Sequence, residues 1–331
     1  MRHCSRCVLP ETFPGISFDP AGVCNYCRNT PVPTPEEKRE HLARFERLVE
    51  ERKGTSAFDC ILAYSGGKDS TYTLMMLRQT YGLRVLAFTF DNGFVSRQAM
   101  ENIRAMTDRL GAVSMVFRPP FDLMRKAFSL SAVKLFYSPK TLDRASSICT
   151  TCIGMVKALV LKTALAYRIP LVAYGWSPGQ APIASAIMQT GPRLQRISQA
   201  TVRDPLVREV GEELGPYFLD ETELGLEASR WPVNVHPLAF TEYDEEAIVK
   251  KIEDAGWVKP EDTDPNSTNC LLNALANHLH RKRFSFHPYA WEIAGIVRSG
   301  CMDRETGLAK VTEEEDEVMV RRAADLLGIG T

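Results

Sequence analysis

The sequence predicts an α/β protein: a doubly wound, mostly parallel sheet, preceded by a small cysteine-rich segment and followed by a helical region. Three observations carry this. Short apolar runs at 60–64, 85–90, 113–117 and 170–175 alternate with longer stretches at helical spacing, the pattern of strands buried on both faces. Each run ends near a Gly-rich or polar cluster, and parallel sheets gather their ligands at the carboxyl ends of their strands. The 331 residues, 44% hydrophobic and 24% charged, are ample for a sizeable core.

In chain order, residues 1–30 hold two C-x-x-C pairs but too few apolar residues for a core of their own. Pro31-Val32-Pro33-Thr34-Pro35 is a stiff linker. Thr34 caps a helix over 36–53 that carries Leu42, Phe45, Leu48 and Val49 on one face. The first strand, 60–64, runs into Ser65-Gly66-Gly67 and a helix over 69–80. The second, 85–90, closes on Asp91-Asn92-Gly93 and is followed by a helix over 96–110. After the third, 113–117, come helices over 121–136 and from Cys149 to Tyr167. The fourth, 170–175, ends in Gly175. Residues 176–205 read as irregular and polar. Helices are expected over 206–214, 244–255, 268–283, 288–299 and 303–328.

Forty basic residues against 41 acidic give a net charge of −1. That excludes a surface that attracts nucleic acid as a whole and leaves only local basic patches. No apolar run approaches the roughly 20 residues that span a bilayer, so no membrane is expected. Met1-Arg2-His3-Cys4 has no signal-peptide core, which makes a cytoplasmic protein the expectation. The nine cysteines are the unusual feature, because six form three C-x-x-C pairs. An odd total without an export signal points to metal or redox sulfur chemistry rather than a disulfide framework.

Three motifs carry chemistry. Ser65-Gly66-Gly67-Lys68-Asp69-Ser70 lies between a strand and a helix. Its glycines admit backbone close to a ligand, the helix start offers free N–H groups, and the serines add hydroxyl donors. This is an anion cradle suited to phosphates, without the spacing of a Walker A loop. Cys149-Thr150-Thr151-Cys152 opens a helix, where a thiol can serve as a metal ligand or nucleophile. The distant Cys270 is a candidate third ligand. Three cysteines can hold a [4Fe–4S] cluster with one iron open, and a persulfide on one thiol is the non-metal alternative. Cys4, Cys7, Cys24 and Cys27 match the C-x-x-C-x(15–20)-C-x-x-C pattern of a closed structural zinc site. Cys60 and Cys301 read as packing residues.

Ser65-Gly66-Gly67-Lys68-Asp69-Ser70 resembles the PP-loop of ATP pyrophosphatases in the adenine nucleotide α-hydrolase superfamily. The resemblance covers roughly 57–180. It implies an AMP-forming enzyme that binds ATP–Mg²⁺, adenylates a substrate oxygen and releases pyrophosphate. Asp69 would help position Mg²⁺, and Asp91 and Gly175 would lie beside the nucleotide. The three chemical cysteines, together with the N-terminal zinc pattern, resemble PP-loop tRNA thiolases, which implies replacement of a carbonyl oxygen by sulfur. Cys4-x-x-Cys7-Val8-x-Pro10, Phe18-Asp19, Gly22-Val23-Cys24 and Gly175-Trp176-Ser177 resemble the N-acetyl sugar amidotransferases, which take ammonia from a glutaminase partner.

The expected organisation is therefore a zinc ribbon at 1–30, a linker and helix at 31–56, a PP-loop ATP-binding domain at 57–205 and a helical region at 206–331. The expected acceptor is a tRNA base or a small molecule, with a separate sulfur donor or glutaminase and a possible homodimer. The alternatives are the sugar amidotransferase and a non-catalytic ATP-binding regulatory protein. His278-x-His280-Arg281-Lys282-Arg283-Phe284 either touches phosphates of the acceptor or is the solvated end of a helix.

Overall fold

A computed structural model describes residues 1–264 and 267–330. Its centre is a six-stranded sheet in the order β3-β2-β1-β4-β6-β5. The strands are β1 (Cys60–Ala63), β2 (Val85–Phe90), β3 (Val113–Phe117), β4 (Leu171–Tyr174), β5 (Ile187–Gln189) and β6 (Val233–Val235). All neighbours run parallel except β5 and β6. The helices are α1 (Pro35–Arg52), α2 (Lys68–Met75), α3 (Arg97–Leu110), α4 (Phe121–Val133), α5 (Ser147–Tyr167), α6 (Pro192–Val210), α7 (Glu245–Asp254), α8 (Asn273–Phe284), α9 (Ala290–Arg298), α10 (Arg304–Thr312) and α11 (Glu317–Leu327), with single turns between them.

The strands' two-residue period divides the core into two layers. Ile61, Leu86, Phe88, Val172 and Tyr174 face one side and pack with α4, α5, α8 and α11. Cys60, Leu62, Val85, Ala87, Leu171 and Ala173 face the other and pack with α1, α2, α3 and Trp257. Burial on both faces is why these runs are continuously apolar. Cys60 is a fully buried packing residue of the second layer, and the half-buried Cys301 packs against a small cluster formed by Leu238, Tyr243 and Ile248.

The expected strands and most helices form, and four expectations need correction. Residues 176–205 are not irregular, because they contain β5 and most of α6. That helix opens on Gly191-Pro192, contains Pro205 and buries only Leu206, Val207 and Val210, so it presents almost no apolar stripe to read. A boundary at 205 therefore cuts a helix, and β6 joins the sheet from beyond it. The helix expected from 268 begins at Asn273, because Cys270 bridges Val95 in the loop after β2 and a turn at 271–272 leads into the helix. Finally, α5 does have the length and apolar content to cross a membrane, but much of it is buried as a core helix against the sheet.

The N-terminal segment has no core of its own and borrows one. Val8, Leu9 and Phe13 pack with Phe286, Ile293, Ala294, Val297 and Val311 of the C-terminal helices. The Arg304 guanidinium donates to the carbonyls of Cys4 (3.0 Å) and Cys7 (3.1 Å). Helix α9 thus carries the ribbon on one side. Its other side meets the turn after β4, where Gly295 lies against Gly179. A Cβ on Gly179 would sit 2.0 Å from the Glu292 carbonyl oxygen. Gly179→Ala is therefore expected to lower stability by about 1–3 kcal/mol in urea melts. It should also speed amide exchange in α9 and the ribbon while leaving α3 protected.

Candidate functional site

The phosphate-type cradle forms where β1 gives way to α2. Gly66 has φ +73, and a Cβ there would lie 2.6 Å from the Ala99 carbonyl, so both backbone conformation and space demand glycine. Gly67 caps α2 without a side chain of its own, and its amide donates to Ser65 Oγ (3.3 Å). The Ser65 and Ser70 hydroxyls stand 3.1 Å apart, and Ser70 Oγ donates to the Gly67 carbonyl (3.0 Å). Gly175 closes the opposite side, since a Cβ there would fall 2.7 Å from the Ser70 nitrogen. The two ends of β1 and β4 are thus pressed onto one helix N-terminus.

Residues remote in sequence complete the loop, and sequence reading missed them. Trp257 is buried and donates its Nε1–H to the Gly66 carbonyl (2.8 Å). The Lys68 amide donates to Thr268 Oγ1 (3.2 Å). Tyr243 donates its hydroxyl to Asp69 Oδ1 (3.1 Å). Lys68 Nζ lies 2.9 Å from Asp69 Oδ2, 3.1 Å from the Tyr243 hydroxyl and 3.8 Å from Glu245 Oε1. Burial alone would lower the lysine's pKa, but Asp69, Tyr243 and Glu245 outweigh it and the net shift is upward. The loop's cation and its carboxylate therefore hold each other.

The loop after β2 brings the third cysteine in. Ser96 donates its amide to the Asn269 carbonyl (2.9 Å), and Leu271 donates to the Phe94 carbonyl (2.9 Å). Val95 and Cys270 form an antiparallel bridge. This extended strap spans the cradle, where Thr268 sits, and the end of β2. Asp91 accepts from the Gly93 amide (3.0 Å) and faces Arg118 at 3.5 Å. Asn92 donates its amide to Cys152 Sγ (3.4 Å). Cys149 and Cys152 lie one turn apart on α5, whose N-cap Ser146 accepts from the Cys149 amide (3.2 Å).

Cys149, Cys152 and Cys270 pack against the same core layer. All three residues are half-buried. Burial raises all three, Cys152 to about 12, and the neighbouring thiols push Cys270 higher still. They do not converge within 4.8 Å as the ribbon's thiols do.

In the ribbon, the Sγ atoms of Cys4, Cys7, Cys24 and Cys27 all lie within 4.8 Å of one another, and all four residues are buried. Burial raises the Cys4 thiol, but amides of Cys7, Cys24 and Arg6 donate to its sulfur and bring it to about 7. Four sulfur donors with N–H support can hold one metal ion. The basic cluster on α8 is largely consumed internally. Arg281 pairs with Glu315 at 3.2 Å, Arg283 donates to the Ala132 carbonyl, and His280 is buried.

Glu292 is a further residue that no local sequence pattern singles out. It accepts from Ser177 Oγ (2.8 Å), and burial raises its carboxyl to about 7.

A scan against protein-family models finds no match. An uncharacterised protein of Methanocaldococcus jannaschii is 23% identical over 304 residues, covering 91% of this chain and 90% of that one. Among solved structures, the U34-tRNA thiolase NcsA from Methanococcus maripaludis with its [4Fe–4S] cluster aligns over all of this chain and 90% of its own, at 15% identity and a TM-score of 0.38.

Two outcomes are expected. Trp257→Phe should lower stability by about 1–3 kcal/mol in denaturant melts, because it leaves the buried Gly66 carbonyl without a partner. The raised Glu292 makes a pH prediction. The folded state holds this proton more tightly than the unfolded chain, so its stabilising contribution is complete below about pH 4.5 and is lost as pH rises through about 7. Glu292→Gln should therefore gain about 1–3 kcal/mol on wild type between pH 5 and pH 8 in denaturant melts.

Proposed function

We propose that this protein is an ATP-dependent sulfurtransferase of the PP-loop type. It adenylates a carbonyl oxygen of its acceptor, releases pyrophosphate and replaces that oxygen with sulfur. The observation that carries the reading is the strap. It brings Cys270 within electrostatic reach of Cys149 and Cys152 and, two residues away, lays Thr268 on the proposed nucleotide cradle. Sulfur chemistry and adenylation then share one cleft at the carboxyl ends of β1, β2 and β4.

In this reading the amides at the start of α2, with Ser65 and Ser70, hold the triphosphate, and the helix dipole supports its charge. Arriving phosphate competes for Lys68, which frees Asp69 to position Mg²⁺. The acceptor oxygen attacks the α-phosphorus as the bond to pyrophosphate breaks, and the amides stabilise the departing charge, to which bound Mg²⁺ would add its own positive charge. Sulfur then bonds to the activated carbon and AMP leaves with the original oxygen. Cys149, Cys152 and Cys270 would hold a [4Fe–4S] cluster whose open iron supplies a binding position for hydrosulfide. The four ribbon cysteines would hold Zn²⁺, with Asp91 and Gly175 flanking the nucleotide. A cytoplasmic setting keeps these thiols reduced.

The test is elemental and kinetic. Anaerobically purified protein should carry about four irons and one zinc per chain. Cys270→Ser should lose the iron and keep the zinc. ATP with hydrosulfide and acceptor should release pyrophosphate and AMP. Zinc alone after reconstitution, with ammonia replacing hydrosulfide, would instead establish the amidotransferase. Nucleotide binding without pyrophosphate release would leave a regulatory protein.

A further inference from the structure

Between the cradle and the cysteines lies a cluster that the proposed chemistry does not use. Lys157 is on α5, five residues past Cys152. Its ammonium stands 4.5 Å from the centre of the Trp176 ring. Trp176 follows Gly175, the residue pressed onto the cradle, and packs on the same core layer as the three cysteines. His236, at the end of β6, stacks on Trp176 with centroids 4.7 Å apart and planes within 6°. Tyr174 extends the wall, 4.9 Å from Trp176 and 5.4 Å from His236.

Two features mark this as a ligand site rather than packing. Lys157 has no carboxylate partner among the described residues, and it is exposed, so its ammonium is free to meet an anion. His236 is 5% exposed, yet its Nδ1 has no hydrogen-bond partner. Burial and the nearby Lys157 charge lower its pKa to about 3, so the ring is neutral and offers one nitrogen to a ligand.

We propose that Lys157, Trp176 and His236 form the acceptor subsite, and that the acceptor is a small molecule with a carboxylate or phosphate on a flat ring. The anion meets Lys157, the ring lies along the Trp176–His236 wall, and the reacting oxygen falls between cradle and cysteines. This placement rests on the sulfurtransferase reading, but binding at the cluster needs neither ATP nor sulfur. A small acceptor rather than RNA also fits the outer surface. Arg281 and Arg283 are tied down internally. A nearby 630 Å³ cleft is lined by Glu261, Asp264, Glu313, Glu314, Glu315 and Asp316, whose charge repels a phosphate backbone.

Calorimetry on the full chain tests this with benzoate, phenyl phosphate and neutral benzamide as probes. Either anion should bind more tightly than benzamide. Lys157→Gln should weaken the preferred anion about tenfold, leave benzamide unchanged and leave ATP affinity intact. Trp176→Leu should weaken all three probes. Equal binding of the three, binding of none, or loss of ATP affinity in Lys157→Gln would overturn the proposal. So would a tenfold loss of bulk tRNA binding in Lys157→Gln. Preference for benzoate or for phenyl phosphate assigns the anion. Pyrophosphate assays that fail while anion binding follows Lys157 would count against the reaction and not against the subsite.

Discussion

The pairing of 269–271 with 94–96 is the constraint on which the site depends. Two backbone hydrogen bonds and one bridge fix Cys270 against the loop after β2 and bring Thr268 onto the Gly66-Gly67 turn. Earlier in the chain, Asn102 of α3 exchanges hydrogen bonds with Val258 (2.7 and 3.0 Å), Ser96 donates to Asp262 (2.8 Å), and Trp257 donates to the Gly66 carbonyl. One segment therefore shapes the phosphate cradle and completes the cysteine set. Backbone bonds do this largely without regard to side-chain identity, so the strap can carry a reactive thiol at its centre.

Charge and packing set the resting state of the same region. Lys68 and Asp69 neutralise each other with help from Tyr243 and Glu245, and Glu245 is in turn 3.6 Å from Lys310. A buried pair of this kind is a poor source of stability but a good exchange partner, because an incoming anion and cation can replace each half. On the other wall, α9 transmits the ribbon's position to the turn after β4 through Gly179 and Gly295, and presents Glu292 to Ser177. The ribbon is thus a structural member of the cleft wall and not a detached appendage.

Sequence made the sheet legible, because β1, β2 and β4 are buried on both faces and leave continuous apolar runs. It also made the cradle and the cysteine spacings legible, since glycines and thiols are the residue types such sites require. What it hid has physical causes. Three-residue strands such as β5 and β6 are too short to show a period. Helix α6 buries too little to show a stripe. Trp257, Tyr243, Thr268 and Glu292 reach the site by tertiary packing over more than 100 residues, which no local pattern encodes. The α8 basic cluster looked like an anion patch because sequence does not reveal that Glu315 and the Ala132 carbonyl satisfy it.

The central claim is that one strap joins a three-cysteine cluster to a nucleotide cradle. Anomalous diffraction from anaerobically grown crystals with a non-hydrolysable ATP analogue tests it most directly. The account requires iron-edge density among Cys149, Cys152 and Cys270, analogue phosphate at the amides of 66–70, and zinc-edge density confined to Cys4, Cys7, Cys24 and Cys27. Phosphate in the cradle with no iron at the three thiols, or with Cys270 swung away from Val95, would contradict it.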